Sequence, residues 1–519
     1  MKWMKDKIMG IPAGWKFTGL TLAIGLLAIG MRSLGIADES LWYDELQAVA
    51  FADRPIPFTT LTVLTYDCHP PLYYLLLSGW LHLGRSDLWI LLSSLVLSVA
   101  SVVVLHRAVR RAYGEKAASL AALVLALHPA SIFWSHFARM YSLLMLLCVL
   151  VFHANLLFFE NEKPTRTRKW YLVLSELGVA YSHVAGWFFL GFVWLYTFTQ
   201  IRDCPRARKN WLRTRIWVGV LGALALHFPL AQGSMGHMRK PAFSDVLQSL
   251  AFQLTGVASG SGFWLVLAAS SMVLLIVALL LRPKRETVWF TAIFLIGPLL
   301  LAFVISYLVK PMWHSQRTFA FFIPLVAVAV GVAFFQPATN RVMSVLSRLL
   351  VGLILVVMVH GTICQVARFQ KSGLFAPVAQ FLNDNAKPQE TVFVDGVREA
   401  MSLKWYLLGP DWDQNMRQEI FSDWPETCAG FEALKCLMQR LRLYDRSVQG
   451  KGPFVQVVEG DRVPHYTEGA DIVWTLIRKA NRIQPLLKLL KLSSGSQEIH
   501  KISKLHLIRT DLSRTHSTQ

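Results

Sequence analysis

Acidic residues are scarce in this sequence, and so is charge in general. Asp and Glu together number 32 in 519 residues, and charged residues make up 16% of the chain. Hydrophobic residues make up 54%, and the mean hydropathy is +0.42. A soluble protein of this length carries more charge, so the composition excludes that class and indicates an integral membrane protein.

The few acids are unevenly distributed along the chain. Only 15 of them precede Asp384, and the last 136 residues hold the other 17. Membrane-embedded segments exclude charge because burying it in lipid is costly, whereas water-soluble domains tolerate it. The sequence therefore predicts a membrane domain over 1–365, followed by a smaller water-soluble domain over 366–519.

Cysteine patterns typical of metal sites are also lacking. None of the six cysteines stands in a CxxC or Cys/His pattern, so a zinc site is not predicted. Cys428 and Cys436 lie close together in the polar C-terminal region. They can form a disulfide if that region is extracytoplasmic, or remain two separate thiols, and the sequence leaves both alternatives open.

The N-terminus resembles a signal peptide, since MKWMKDK precedes an apolar run that ends near Gly30. That run is long enough to span a bilayer, and many more follow it. We therefore predict an uncleaved first helix.

Lys and Arg do not form one basic face, although the formal net charge is +20. They cluster between apolar runs instead, which follows the positive-inside rule and argues against a nucleic-acid-binding protein. The clusters occupy every second connection, so these connections and the N-terminus are predicted to be cytoplasmic. They read HRAVRRAYGEK, NEKPTRTRK, RDCPRARKNWLRTR and RPKRE.

Eleven apolar runs are long enough, or nearly so, to span a bilayer. An odd number of spans after a cytoplasmic N-terminus places the C-terminal domain outside. The predicted spans fall near 15–32, 88–106, 117–134, 141–159, 170–184, 185–201, 216–231, 263–281, 288–308, 318–335 and 344–363.

Two stretches depart from a simple alternation of spans and loops. As a helix, residues 71–84 would reach only about 20 Å, too short for a hydrocarbon core of about 30 Å. We predict an interfacial helix there, within one long first external loop over 33–87. The apolar runs at 170–184 and 185–201 must turn near Ser182-His183 at membrane depth, which requires surrounding protein or a wet cavity. This predicts a cavity on the external side.

The C-terminal region reads as a small α/β domain. ETVFVDG (390–396) and PFVQVVEG (453–460) are typical of strands, and FAPVAQFLNDNA is typical of an amphipathic helix. The segment PLLKLLKLSS can form an amphipathic helix that packs on its own domain or lies on lipid.

Residues able to carry chemistry collect in the connections opposite the basic clusters. A carboxylate can take a proton from a hydroxyl as general base, and Arg or Lys can hold a phosphate leaving group. The constellation suits a reaction on a lipid-linked phosphate. Its members are Asp44, Glu45, Asp67, His69, His136, Arg139, Tyr141, Tyr181, His183, His237, Arg239, Lys240, Lys310, His314 and Arg317.

Each of these residues also has a structural interpretation. Asp44 and Glu45 can simply start a solvated helix, and Arg139 and Arg317 can be anchors at the membrane interface. The functional interpretation rests on the convergence of these residues on one face, since no single residue carries it.

Three further polar residues are typical of structural roles when taken alone. His183 is typical of a packed histidine. Asp67 can supply a second carboxylate to the site but is more typical of a solvated loop. Glu176 lies within a span, away from the cluster, and is interpreted as a structural hydrogen-bonding group.

The pair WYDE…HPPLYY in the first external loop resembles the GT-C superfamily of membrane glycosyltransferases. The most similar group is that of the protein O-mannosyltransferases and lipid A aminoarabinose transferases. ARMYSLLMLL, YSHVAGWF and RTFAFFIPLVAVAVG also resemble that group. The resemblance extends over about residues 15–365 and implies an all-α polytopic membrane domain of the GT-C type.

The resemblance implies a sugar transfer from a polyprenyl-phosphate-linked donor to a lipid, glycan or protein acceptor, with inversion at the anomeric carbon. It places the site on the external face of the membrane, the cytoplasmic membrane if the protein is bacterial. Asp44 corresponds to the general base or acceptor-orienting group, and Glu45 to its partner. The residues expected to bind the donor phosphate or substrate are His69, Arg139, Tyr141, His183, Lys310 and Arg317.

The chain departs from the family pattern after the third span. Several relatives carry an acidic residue there, sometimes with a divalent metal, but this turn reads SHFARMYS. A divalent metal would lack that ligand here, and cationic side chains are expected to do its work.

Three rival interpretations have distinct signatures. A transporter or flippase of lipid-linked sugars typically has ionisable groups at the bilayer midplane and repeated halves, neither of which is visible here. A polymerase or ligase would use a pyrophosphate-linked donor. A structural assembly subunit would tolerate Asp44→Asn, whereas an enzyme would lose transfer.

Overall fold

A computed structural model describes the chain as two compact units. One contains residues 1–37 and 51–369, and the other contains residues 38–50 and 370–519. The described residues are 19–53, 56–57, 59–60, 63, 67, 69–160, 163–202, 204–226, 240–255, 262–280, 289–309, 311, 313–314, 316–335, 340–367, 375–386, 390–394, 403, 405–407, 454–457, 472–477, 496–502 and 505–511.

Helices account for nearly all of the described residues between 19 and 367. A π-helical turn at Thr291–Ile296 leads directly into α13, and short 3-10 helices lie at Ile36–Asp38 and Ala223–Leu226. The α-helices up to residue 367 are α1 Gly19–Ser33, α2 Tyr43–Ala52, α3 Leu72–Leu81, α4 Asp87–Tyr113, α5 Glu115–Leu127, α6 Pro129–Ser135, α7 Tyr141–Phe159, α8 Arg166–Ser182, α9 Ala185–Ile201, α10 Pro205–Gly222, α11 Phe243–Thr255, α12 Gly262–Leu280, α13 Gly297–Leu308, α14 Phe322–Phe335 and α15 Arg341–Ala367.

Several of these helices are suited to a bilayer. Within the described residues, five are long and apolar enough to cross a membrane, or six if one bent pair forms a single span. Shorter apolar helices, including α9 and α14, accompany them. The turn predicted near Ser182-His183 is confirmed, because α8 ends at Ser182 and α9 begins at Ala185. The count of eleven spans and their orientation stay predictions.

Two predicted segments differ from the structure. The run 117–134 is not one straight helix, because α5 and α6 meet at His128 with a bend of 55°. Pro129 lacks an amide hydrogen and disfavours a helical conformation at the residue before it, which explains the break. The connection 232–262, predicted as an external loop, contains α11, whose last turns are buried.

The break between α5 and α6 is bridged by Arg32 from α1. Without the break, the Leu125 carbonyl would accept from the amide of residue 129, but that residue is proline. The fully buried Arg32 guanidinium instead donates to the carbonyls of Leu125 and Ala126, at 3.2 and 2.8 Å. It also donates to the Ser131 hydroxyl at 2.8 Å. Arg32 thus satisfies backbone groups that the bend exposes.

A second buried polar group ties three other helices together. Glu176 on α8 accepts from Arg215 on α10 at 2.9 Å, and Arg215 donates to Asn155 on α7 at 3.0 Å. The guanidinium also lies 5.9 Å from the Trp194 ring centroid and 5.6 Å from that of Trp211. The interpretation of Glu176 as a structural hydrogen-bonding group agrees with these contacts.

The connection between α3 and α4 is fixed by two tryptophans. The rings of Trp80 and Trp89 stack with centroids 4.9 Å apart. Each indole N–H donates to the backbone carbonyl of the other residue, at 2.8 and 3.2 Å. Ser86 caps α4 by accepting from the Trp89 amide, and a Cβ at Gly84 would lie 2.9 Å from the Trp89 ring. The tight packing therefore requires glycine at position 84.

The described part of the C-terminal region contains a helix and a five-stranded mixed sheet. Helix α16 spans Ala376–Asn385, and the sheet order is β2-β1-β3-β5-β4. Strand β1 pairs in parallel with β2 and β3, whereas the β3–β5 and β4–β5 pairs are antiparallel. The strands are β1 Thr391–Val394, β2 Phe454–Val457, β3 Ile472–Ile477, β4 Ser496–Ile502 and β5 Leu505–Asp511.

The core of this unit joins the helix to the sheet. Val378 and Leu382 of α16 pack with Val392 of β1 and Leu507 of β5. The predicted helix and the first two predicted strands are present, while the α/β character of the whole domain stays a prediction. Cys428, Cys436 and the segment PLLKLLKLSS lie outside the described residues.

Residues 38–50 belong to the same compact unit as the C-terminal region. Within it, the amide of Leu41 donates to the Tyr406 hydroxyl at 2.8 Å. The segment falls within the predicted first external loop of the membrane domain, and its grouping with the C-terminal region was not predicted.

Candidate active site

Asp67 is at the centre of a buried polar network in the first unit. It is only 7% exposed, so the interpretation of this residue as part of a solvated loop is wrong. One carboxylate oxygen accepts from the His69 amide at 3.0 Å, and the other accepts from the Tyr74 hydroxyl. Pro70 and Pro71 separate these donors and lead into α3, because proline suits the start of a helix.

The surroundings of Asp67 favour its charged form. Burial alone would raise the pKa of the Asp67 carboxyl. The charges of His69 and Arg139, together with the hydrogen bonds from Tyr74 and the His69 amide, outweigh burial and lower this pKa below its ordinary value. Asp67 therefore places a fixed negative charge inside the cluster.

Arg139 lies in the turn between α6 and α7 and faces the same network. It is 5% exposed, and its guanidinium donates to the Tyr74 hydroxyl at 3.4 Å. Its carbonyl lies 3.5 Å from the Ser94 hydroxyl of α4. An interfacial anchor would extend its charge toward water. The alternative of an anchor therefore does not describe Arg139.

His183, at the turn between α8 and α9, stacks on His69. The two ring centroids are 4.7 Å apart, and the Tyr141 centroid lies 5.7 Å from that of His183. His183 Nδ1 accepts from the Ala185 amide at 2.9 Å, so the neutral ring carries its proton on Nε2. His183 is buried, and the charges of His69, Arg139 and Arg317 act on its ring.

Arg317 follows a turn that is held by His314. His314 Nδ1 accepts from the amides of Gln316 and Arg317 at 3.4 and 3.3 Å, and its own amide donates to the Thr318 hydroxyl at 2.9 Å. Arg317 is half-buried. Its charge acts on the ring of His183 together with those of His69 and Arg139. Lys310 lies outside the described residues.

The structure thus brings together five of the six residues expected to bind the donor. They come from four separate connections of the first unit, and they bring two guanidinium groups and two imidazole rings to the site. Such a cluster is suited to binding an anion. The five are His69, Arg139, Tyr141, His183 and Arg317.

Asp44 and Glu45 lie in the second unit, in the first turn of α2. Glu45 is fully buried and accepts from the Trp42 amide at 2.7 Å, the back-bonding half of a capping box. Asp44 is half-buried. Glu45 therefore fixes the helix start that presents Asp44. The catalytic roles expected for the two residues stay predictions.

Sequence reasoning missed the network formed by Asp67 and Tyr74. Tyr74 lies inside the quoted HPPLYY motif, yet its spacing from Asp67 across two prolines gives no periodic signal. The available signal was a carboxylate directly before that motif. Among the described residues, no three His, Cys, Asp or Glu side chains cluster as a metal site would require.

Comparison with family models gives the class of protein that this chain resembles. Residues 68–231, less than half of the chain, match the family model for dolichyl-phosphate-mannose-protein mannosyltransferase. The matched region contains His69, Arg139, Tyr141 and His183. No curated protein is similar enough in sequence to count as a relative.

Two solved structures of ArnT from Cupriavidus metallidurans have a similar fold. The apo structure is 12% identical in sequence to this chain. The alignment covers 95% of this chain and 98% of the ArnT chain, with a TM-score of 0.60. The structure bound to undecaprenyl phosphate has the same identity and coverage, with a TM-score of 0.58. The resemblance to the GT-C glycosyltransferases is confirmed, and the chain is an integral membrane protein with that fold.

Proposed function

We propose that this protein is a membrane glycosyltransferase that moves a sugar from a polyprenyl-phosphate-linked donor to an acceptor hydroxyl on the external face. The observation that carries the proposal is the convergence of Arg139 and Arg317 on the His69–His183 stack. The shared fold with ArnT, which was solved with undecaprenyl phosphate, supports a donor of that class.

The donor phosphate would bind to the guanidinium groups of the cluster. Arg139 and Arg317 offer planar donors that match phosphate oxygens, and a buried site strengthens their attraction. When the bond between the sugar and the phosphate breaks, negative charge grows on the leaving phosphate. The same two cations would stabilise that charge in the transition state.

Two further residues would shape the phosphate site. His183, neutral with its proton on Nε2, can donate one hydrogen bond, and Tyr141 beside it gives the site an aromatic wall. Lys310 completes the set expected from the sequence.

In the proposed reaction, Asp44 takes the proton of the acceptor hydroxyl. The oxygen then attacks the anomeric carbon on the face opposite the phosphate, the bond to the phosphate breaks, and the phosphate leaves with the electron pair. A single displacement of this kind inverts the configuration at that carbon. Glu45, bonded to the Trp42 amide, would hold the first turn of α2 and so orient Asp44.

The test uses the purified full chain in lipid nanodiscs with radiolabelled undecaprenyl-phosphate sugars and envelope extract as acceptor. Wild-type protein should transfer label, and Asp44→Asn should abolish transfer at normal expression. Arg139→Gln and Arg317→Gln should each raise the donor KM about 10- to 100-fold, the loss expected for a charge-assisted phosphate contact.

Arg85→Gln is the matched control, because Arg85 forms an ion pair with Asp53 at 2.9 Å outside the cluster. It should retain wild-type kinetics. Mass spectrometry of envelope glycolipids and glycoproteins with and without the gene would then identify the sugar and the acceptor. Movement of intact lipid-linked sugar across the bilayer without any transfer would refute the proposal in favour of a flippase.

A further inference from the structure

We propose that Asp67 and Tyr74 are positioning residues that fix the Arg139 guanidinium for the donor phosphate. The proposal deepens the proposed function and rests on it. Asp67 was counted among the residues able to carry chemistry but not among those expected to bind the donor, and Tyr74 was in neither set. Asp67 lies one residue before the matched family region.

The geometry links the three side chains in series. The Tyr74 hydroxyl donates its one hydrogen to Asp67 and accepts from Arg139 Nη1 at 3.4 Å with its oxygen. Tyr74 is fully buried on α3, whereas Arg139 lies in the turn after α6. The hydroxyl therefore connects two segments that lie far apart in the sequence.

The Asp67 carboxylate also supplies the compensating charge for this part of the site. Arg139 is 5% exposed, and a buried guanidinium needs an anion or several acceptors nearby. The charge of Asp67 interacts with those of Arg139 and His69, so Asp67 supplies one such negative charge. Its own oxygens accept from the Tyr74 hydroxyl and the His69 amide, so Asp67 stabilises the cation by its charge and through the Tyr74 hydroxyl.

The same contacts make Asp67 a poor candidate for the general base. Both of its oxygens accept hydrogen bonds from fixed donors, and those bonds favour the charged form. A proton acceptor needs a free oxygen that faces the acceptor hydroxyl and a pKa matched to the working pH. Asp67 therefore acts through Arg139, and the role of base stays with Asp44.

The test measures binding and turnover separately in nanodiscs. Binding of undecaprenyl phosphate alone is followed by the shift in melting temperature with lipid concentration, and donor KM and kcat are followed by transfer. Asp67→Asn should weaken binding and raise the donor KM about 10- to 100-fold, while kcat at saturating donor falls much less. Tyr74→Phe, which removes one oxygen, should weaken binding of undecaprenyl phosphate and raise the donor KM, each about fivefold.

Two further variants separate positioning from mere folding. Asp67→Glu retains the charge and should restore part of the donor affinity that Asp67→Asn loses. Asp53→Asn removes a first-loop carboxylate that pairs with Arg85 instead, and it should leave donor affinity unchanged. If Asp67→Asn does not fold, Tyr74→Phe decides the outcome.

The possible results distinguish failure of this inference from failure of the proposed function. Wild-type affinity and KM in a folded Asp67→Asn or Tyr74→Phe variant, with wild-type transfer intact, would overturn the inference and leave the proposed function standing. A kcat loss without any change in donor affinity would also overturn it. Wild-type protein that neither binds undecaprenyl phosphate nor transfers any sugar would refute the proposed function, and the inference with it.

Discussion

Removing one partner of the buried Glu176–Arg215 ion pair should destabilise the protein more than the loss of the hydrogen bonds alone would. The Glu176 side chain is 0% exposed and that of Arg215 is 3% exposed, with the charged atoms 2.9 Å apart. Breaking a buried pair leaves one charge without compensation, which typically costs about 3–5 kcal/mol. Replacing both partners by apolar residues removes that penalty.

The two single substitutions should not be equivalent. In Glu176→Leu the guanidinium of Arg215 cannot lose its proton, and Asn155 is its one remaining hydrogen-bond acceptor among the contacts described above. We expect a loss of about 3–5 kcal/mol of unfolding free energy. In Arg215→Met the carboxyl of Glu176 can become neutral by taking up a proton, so a loss of about 1–3 kcal/mol is expected.

The double variant gives the decisive comparison. Additive losses would total about 4–8 kcal/mol, whereas removal of both charges should cost about 1–3 kcal/mol, mainly from the unsatisfied Asn155. The coupling energy between Glu176 and Arg215 should therefore exceed about 1 kcal/mol. The assay is reversible unfolding in mixed micelles, in which dodecyl sulfate is titrated into dodecyl maltoside and tryptophan fluorescence is recorded.

A matched control is the half-exposed ion pair between Asp53 and Arg85. Its atoms are also 2.9 Å apart, but the side chains are 13% and 33% exposed. Its double-mutant cycle should give a coupling of at most about 1 kcal/mol because solvent screens the charges. Additivity within about 0.5 kcal/mol for Glu176 and Arg215 would refute the reasoning, since uncoupled residues behave in that way.

Three more predictions follow from the packing and the charges. Arg32→Met should lower the unfolding free energy by about 2–4 kcal/mol because two carbonyls at the α5–α6 break lose their donor, and wild-type stability would contradict this. Gly84→Ala should cost about 1–3 kcal/mol, because the new Cβ would lie 2.9 Å from the Trp89 ring; the same micelle titration measures both losses. The lowered pKa of Asp67 means that its charge contributes stability above the ordinary carboxyl pKa and loses it as pH falls through the lower folded value. The stability difference between wild type and Asp67→Asn should thus stay constant from about pH 8 to pH 5 and shrink below about pH 4, and a difference that already shrinks at pH 6 would refute the assignment.

The sequence indicated the membrane class and many helices because long apolar runs are typical of helices that span a bilayer. It also located the turn near Ser182-His183, where two such runs meet without a polar loop. It missed the bend at His128, since an apolar run shows its length but not its straightness. Helix α11 was missed because a short amphipathic helix inside a connection resembles a loop in the sequence.

The candidate site was predictable by residue type and membrane face, but not by pairing. His69, Arg139 and His183 were recognised as chemically suited to a phosphate, and the structure gathers them. The support that Asp67 gives to Arg139 through Tyr74 joins residues far apart in the chain, and no spacing rule reports such a contact. Polar residues in loops look solvated in a sequence until tertiary packing buries them.

The grouping of residues 38–50 with the C-terminal region has a consequence for biogenesis. Leu41 and Tyr406, whose hydrogen bond lies within that unit, are 365 positions apart in the chain. A ribosome makes the WYDE segment early, yet the residues that pack with it emerge only after nearly all the hydrophobic helices have been inserted. Maturation of the segment that bears Asp44 is therefore a late event, and nascent chains that stop before residue 370 would carry the segment without the rest of its folding unit.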